Sequence, residues 1–345
     1  MKKDHILVIR FSALGDIAMT VPVVYSLATQ YPHVRITVLS RPVARPLFEN
    51  LAPNVNFMQA DVKREYHGVK GLNKLYRRLA AKQFTHVADM HNVLRSDYLR
   101  MRFNLGRYHV EHINKHRSQK RKLTSYNNKV RVSLPSTFQN YADVLAKLGF
   151  PVKLQFHSIF GQTPPLAPTP PKIGIAPTAA HKGKVYPFHL MRRVIDLIIG
   201  HHPDAQIFLF GRGQLEDGLF EQWCNEVPQC INVATRANGL RQELELMSQL
   251  NVMITMDSAN LHLASLTATP VVSVWGATSP ETGFMGWNQP IDNCIQIPLD
   301  CRPCSIYGNR PCRKNNYECL YLIEPQRIVD RVEDILLAGR QQANQ

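Results

Sequence analysis

Short apolar runs alternate with longer amphipathic stretches along this chain. HILVIR (5–10), RITVLS (35–40) and THVADM (85–90) read as buried strands. Between them lie helix-like segments, VVYSLATQY (23–31) and GLNKLYRRLAAKQ (71–83). Strand, helix, strand at this spacing predicts βαβ units and a parallel sheet. Residues 161–171, GQTPPLAPTPP, hold five prolines and one glycine, the composition of a linker. The alternation then restarts. KIGIAP (172–177), QIFLFG (206–211), NVMITM (251–256) and PVVSVWG (270–276) read as strands. LMRRVIDLIIGHH (190–202), QELELMSQL (242–250) and ANLHLASLT (259–267) read as helices. In the tail, 325–339, apolar residues at 328, 329, 332, 335 and 336 mark one helical face, with Pro325 in the first turn and Gly339 at the end. The expected architecture is two α/β halves around a proline-rich linker, with no internal repeat of 20–50 residues.

Composition narrows the classes. The chain has 345 residues, 44% apolar and 19% charged, which fits a globular protein of about two domains. No apolar run approaches the ~18 residues of a membrane span. The start, MKKDHILVIRFSALGD, shares only its lysines with a signal peptide, so the expectation is a soluble cytoplasmic protein. Lys+Arg number 41 and Asp+Glu 26, a formal charge of +15 that calls for an acidic partner: nucleic acid, an anionic membrane surface or a phosphorylated substrate. Between Arg95 and Arg131, eleven Lys/Arg face only Asp97 and Glu111, so this window carries +9 of the total. It reads either as a solvated loop with no partner or as a flexible basic segment meeting a phosphate-rich surface. Seven cysteines, an odd count in a large chain, argue for reduced thiols. Cys301, Cys304, Cys312 and Cys319 form C-x2-C-x7-C-x6-C, which suggests structural zinc or a cysteine-rich packed loop; the last spacing fits zinc poorly.

Ligands of parallel α/β sheets bind outside the carboxyl ends of the strands. The first strand ends at Arg10 and runs into FSALGD, where Ser12 and Asp16 lie at the start of a helix. Asp16 is either a helix cap or a general base. The third strand leads to Asp89, His91 and Arg95, which are either loop residues or part of the same crevice. In the second half, APTAAHKGKVYP places Thr178, Lys182 and Lys184 among small residues that let backbone N–H groups approach an anion. No Walker pattern occurs, and Gly211-Arg212-Gly213 has Glu216 where a dinucleotide fingerprint needs its third glycine. Glu216 instead suits ribose hydroxyls. MDSANLHLAS (256–265) delivers Asp257, Ser258, Ala259 and Asn260 to a helix start, with His262 on its first turn. That layout fits either a diphosphate site or a helix capped by Asp257 with His262 packed internally.

These segments carry a resemblance. ILVIRFSALGDIAMTVPVV resembles the opening of the family 9 glycosyltransferases, which include the lipopolysaccharide heptosyltransferases. MDSANLHLASLTATPVVSVWGATSP resembles the family's second signature, with Ala259 where a glycine is usual. LDCRPCSIYGNRPCRKNNYECLYLIEP is similar to the tail of the heptosyltransferase II type. The resemblance implies a GT-B fold: an N-terminal acceptor domain (1–160), the linker (161–171), a nucleotide-sugar domain (172–324) and a C-terminal helix (325–345) crossing back to the first domain. Between the two Rossmann-like domains, parallel sheets would face a central cleft. It implies an inverting, metal-independent transfer from a nucleotide sugar, ADP-heptose, to a phosphorylated lipid A-type or core acceptor. Asp16 matches the proposed base, with Arg10, Ser12, His91 and Arg95 on the acceptor side. Thr178, Lys182, Lys184, Glu216 and 257–262 match the donor side. The basic window would then rest on the anionic cytoplasmic face of the inner membrane. Two other classes share parts of this pattern: a sugar-nucleotide epimerase, and a nucleic-acid binder drawn by charge, for which no recognition motif occurs.

Overall fold

The computed structural model describes residues 4–161 and 170–343, so most of the predicted linker lies outside the described residues. Two compact units result. The first holds β1 (His5–Ile9), α1 (Leu14–Ala18), α2 (Val21–Gln30), β2 (Arg35–Ser40), β3 (Val55–Gln59), α3 (Gly68–Ala80), β4 (His86–Asp89), α4 (Leu94–Leu105) and β5 (His109–His112). After α5 (Arg117–Leu123), which belongs to the second unit, α6 (Thr137–Lys147) completes it. The strands lie in the order β3-β2-β1-β4-β5, all parallel. β1 is buried along its whole length, as a parallel strand covered on both faces must be. Leu7 and Ile9 pack with Leu75 and Leu79 of α3 and with Leu99 and Phe103 of α4.

The second unit holds β6 (Lys172–Ala176), α7 (Phe188–His201), β7 (Gln206–Leu209), α8 (Gln214–Glu226), β8 (Cys230–Asn232), α9 (Leu240–Met247), β9 (Val252–Met256) and α10 (Ala259–Leu266). β10 (Val271–Val274), β11 (Cys294–Ile295), α11 (Glu318–Tyr321) and α12 (Pro325–Ala343) follow. Its parallel sheet runs β11-β10-β9-β6-β7-β8. Ile328, Val329, Val332 and Leu336 of α12 enter the core built on β6, β9 and α7, so the predicted apolar face of the tail helix is used within this unit. Among the described residues, no helix is long and apolar enough to cross a membrane.

The basic window divides. His116–Leu134 groups with the second unit, although its sequence position precedes the linker. It is anchored there: Leu134 N donates to Glu281 O at 2.9 Å, and Lys129 Nζ donates to the carbonyls of Cys301 and Pro303 at 2.7 and 3.1 Å.

In each sheet the strand order reverses beside the unit's first strand, at β1/β4 and at β6/β9. Such a reversal leaves a crevice at the carboxyl ends of the strands, where ligands of this architecture bind.

Candidate active site

At the β1/β4 reversal, Arg10 NH2 meets Asp16 Oδ2 at 2.7 Å. Arg10 is buried, and its NH1 donates to Met90 O, just beyond β4, at 2.7 Å. Asp16 Oδ2 also accepts from the Ala13 N–H at 3.0 Å, so the carboxylate caps α1 and holds the arginine at once. The two readings of Asp16 are therefore compatible. Its side chain keeps 25% exposure against 9% for Arg10, so the carboxylate is the member of the pair that a substrate can reach. Tyr141 of α6 supports the turn by donating to Asp16 O at 3.2 Å.

His91 lies beside this pair, with Nε2 3.3 Å from Ser12 Oγ. Burial lowers its pKa to about 3, and Arg10, Lys115 and Arg95 push the same way against Asp16. The ring is neutral near pH 7 and offers hydrogen bonds, not charge. Arg95 is exposed on the first turn of α4. Asp89 is fully buried; its Oδ1 accepts from the N–H groups of His91 and Asn92 at 2.9 Å each, and Oδ2 lies 3.4 Å from Arg100 NH1. With no surface exposed, Asp89 shapes the turn that presents His91 and is not placed to take a substrate proton.

In the second unit, the candidates converge on the carboxyl ends of β6, β7 and β9. Thr178 Oγ1 donates to Glu216 Oε1 at 2.8 Å, joining the end of β6 to the first turn of α8. Lys184 Nζ sits 2.9 Å from Asp257 Oδ2, with side chains only 15% and 6% exposed. Ser258 caps α10, its Oγ accepting from Asn260 N at 3.3 Å and lying 3.2 Å from Thr255 Oγ1. Ala259 is the first residue of α10, and His262 is buried one turn in. Lys182 separates from this group: its Nζ lies 5.1 Å over the ring of Tyr317. Two lysines at i and i+2 here take different neighbours.

The placement of Lys184 depends on groups that no motif marked. Gly308 has φ +74, and a Cβ there would come within 2.4 Å of Lys184 Cγ. Ala277 N donates to Gly183 O at 2.8 Å. Arg302, buried within the C-x2-C pair, donates to the carbonyls of Trp275 and Thr278 at 3.0 and 2.8 Å, and also to Gly276 and Ile297. A buried guanidinium satisfied by four carbonyls fixes the loop against which Gly183 lies. Its only sequence signal was an arginine inside a cysteine pair. The four clustered cysteines are free thiols, and burial raises Cys319 to about 12. Among the described residues, no group of three or more His, Cys, Asp or Glu is arranged to hold a metal ion.

Residues 72–317 match glycosyltransferase family 9 (heptosyltransferase). Lipopolysaccharide core heptosyltransferase OpsX of Haemophilus influenzae is 21% identical over 79% of this chain and 79% of its own. The family 9 glycosyl transferase of Veillonella parvula superposes with a TM-score of 0.71 at 20% identity, covering 98% of this chain and 99% of that one. ADP-heptose lps heptosyltransferase II of E. coli does so with a TM-score of 0.67 at 19% identity, covering 97% and 99%. These likenesses make the fold GT-B. With two Rossmann-like parallel sheets, ordered signatures at both strand-order reversals and a match across most of its length, the chain belongs to glycosyltransferase family 9, the heptosyltransferase family.

Proposed function

We propose that the protein moves a heptose from ADP-heptose, with inversion, to a hydroxyl of a lipopolysaccharide core or lipid A-type acceptor. The observation that carries this reading is the Arg10–Asp16 pair at the β1/β4 reversal, a partly exposed carboxylate held by a buried guanidinium. The names of the lipopolysaccharide relatives support the choice of donor and acceptor.

Asp16 accepts the proton of the acceptor hydroxyl as that oxygen attacks the anomeric carbon. The new C–O bond forms on the face opposite the breaking bond to the diphosphate, and ADP leaves with the electron pair. Arg10 holds the carboxylate in place. The proton moves late, once attack has made the hydroxyl acidic. General-base help of this kind contributes roughly 10²–10⁴-fold. Ser12, His91 and Arg95 orient the acceptor.

On the donor side, Lys184 and the first N–H groups of α10 stabilise the charge that builds on the leaving diphosphate. Asp257 holds Lys184 in place, and Glu216, oriented by Thr178, takes ribose hydroxyls. Lys182 belongs on the donor side as an outer cation. No step in this scheme requires a metal, because the lysine and helix N–H groups supply the neutralising charge.

Thermal unfolding with a nucleotide panel tests the donor. A ligand at 100 times its Kd adds about 2.7 kcal/mol, so ADP and ADP-heptose should raise the midpoint while UDP and GDP sugars leave it. A response only to UDP or GDP sugars would replace the donor, and turnover of the sugar nucleotide without acceptor would favour the epimerase.

A further inference from the structure

Helix α4 has two apolar faces. Leu99 and Phe103 are fully buried in the core of the first unit. On the opposite side Leu94, Met101 and Leu105 stand 88%, 50% and 75% exposed. Spacings of seven and four put these three on one stripe, with Tyr98 between them. A surface helix normally spends its apolar residues on one face. Here a second stripe is left in solvent, three residues beyond His91.

The stripe is edged by cations. Arg95 on the first turn and Arg107, two residues past the end of the helix, are exposed. Arg102 is fixed on its flank, donating to Asn73 Oδ1 at 2.6 Å with its guanidinium 4.5 Å from the Tyr76 ring, which ties α4 to α3. α3 adds exposed Lys70 and Arg77. The acid on the other edge, Asp97, is paired with Arg100 at 2.8 Å, a guanidinium it shares with buried Asp89. Exposed leucines ringed by arginines suit a surface that is apolar below and anionic above. A second copy of this face would set like charges against each other.

We propose that α4 docks the protein on an anionic lipid surface, with Leu94, Met101 and Leu105 entering the acyl boundary and the arginines meeting lipid phosphates. This deepens the proposed function, on which its purpose rests. A lipid-linked acceptor rising from that surface would arrive beside His91 and Asp16. It also narrows the basic window to its first part, since His116–Leu134 belongs to the other unit.

The test is co-sedimentation of the full chain with phosphatidylcholine vesicles, with and without phosphatidylglycerol. The wild type should bind the anionic vesicles and release as salt rises. Replacing Leu94, Met101 and Leu105 together by Gln should weaken that binding by roughly tenfold or more. Removing Arg95 and Arg107 should cost about fivefold each and flatten the salt dependence. As a check independent of folding in the triple variant, Leu105→Trp alone should shift its emission to the blue on anionic vesicles. Three outcomes would each overturn the proposal: failure of the wild type to bind, a triple variant that binds like wild type, or no vesicle-dependent change in the emission of the Leu105→Trp protein. The vesicle arm reads docking whatever the reaction is. Turnover of a deacylated, water-soluble acceptor, unchanged in the folded triple variant, reads the chemistry separately.

Discussion

The two strand-order reversals share a topology and differ in chemistry. At β1/β4 the carboxylate is the reachable partner and the cation is buried: Asp16 is 25% exposed and Arg10 9%. At β6/β9 the order is inverted, with Asp257 at 6% and Lys184 at 15%. The first arrangement presents a proton acceptor steadied by a guanidinium. The second presents an ammonium steadied by a carboxylate, beside the start of a helix. One sheet architecture thus leaves a carboxylate outward on one unit and an ammonium outward on the other, which the proposed function uses as base and anion site, and the difference lies in which member of each ion pair faces outward.

The largest test removes the outward carboxylate. Asp16→Ala should lower kcat by about 10²–10⁴-fold while leaving ADP affinity within a factor of about two. Turnover and nucleotide titration, measured on the same preparation, separate the two. Unchanged turnover would strip Asp16 of its role and break the comparison at its first term.

Removing the outward ammonium comes next. Lys184→Ala should cost about 10²-fold in kcat/KM for the donor and weaken ADP binding as well, because in the proposed function the lysine meets the diphosphate before and during transfer. A variant that kept ADP affinity would make the Lys184–Asp257 pair structural. Asp257→Asn gives the complementary reading, since a lysine that loses its anchor should weaken the donor less than a lysine that is gone.

The third effect falls on stability. Asp89→Ala leaves the N–H groups of His91 and Asn92 without their acceptor, and Arg100 with Asp97 as its remaining carboxylate partner. A loss of about 3 kcal/mol is expected from denaturant melts. Any residual folded enzyme should keep its ADP affinity, because Asp89 lies in the other unit.

Much of this was legible because buried parallel strands are unbroken apolar runs. β1, β2, β6, β9 and β10 announce themselves, and Asp257-Ser258 after β9 marks a helix start by residue type alone. β3, β5 and β8 escaped the pattern because they carry polar or partly exposed residues such as Asn56, Glu111 and Asn232. α4 escaped for a different reason: apolar residues on opposite faces cancel the amphipathic period. Arg302 acts through carbonyls of residues 275, 276 and 278, distant in sequence, and spacing does not encode such partners. Lys182 and Lys184 looked alike in the chain; the ring of Tyr317 and the carboxylate of Asp257 tell them apart.

The smallest expected effect bears on the sign of charge at the first site. His91 is lowered to about 3 from an ordinary value of 6.5, chiefly by burial. The unfolded chain therefore binds a proton on this residue between those values while the folded protein does not. Stability from His91 is complete above pH 6.5 and drains away as pH falls toward 3, at no more than about 1.4 kcal/mol per pH unit. His5 and His86 of the same unit are also lowered by burial and add to the trend. His91→Asn removes one titrating group and keeps a hydrogen-bonding side chain facing Ser12. Thermal midpoints from pH 7.5 to 5 should then fall less steeply in the variant than in the wild type. A ring that carries no charge at pH 6 contributes no pH dependence to acceptor KM. An acceptor KM that rises through pH 6.5 in the wild type and not in His91→Asn would mean a cationic imidazole. The first site would then resemble the second, with an outward cation at each reversal.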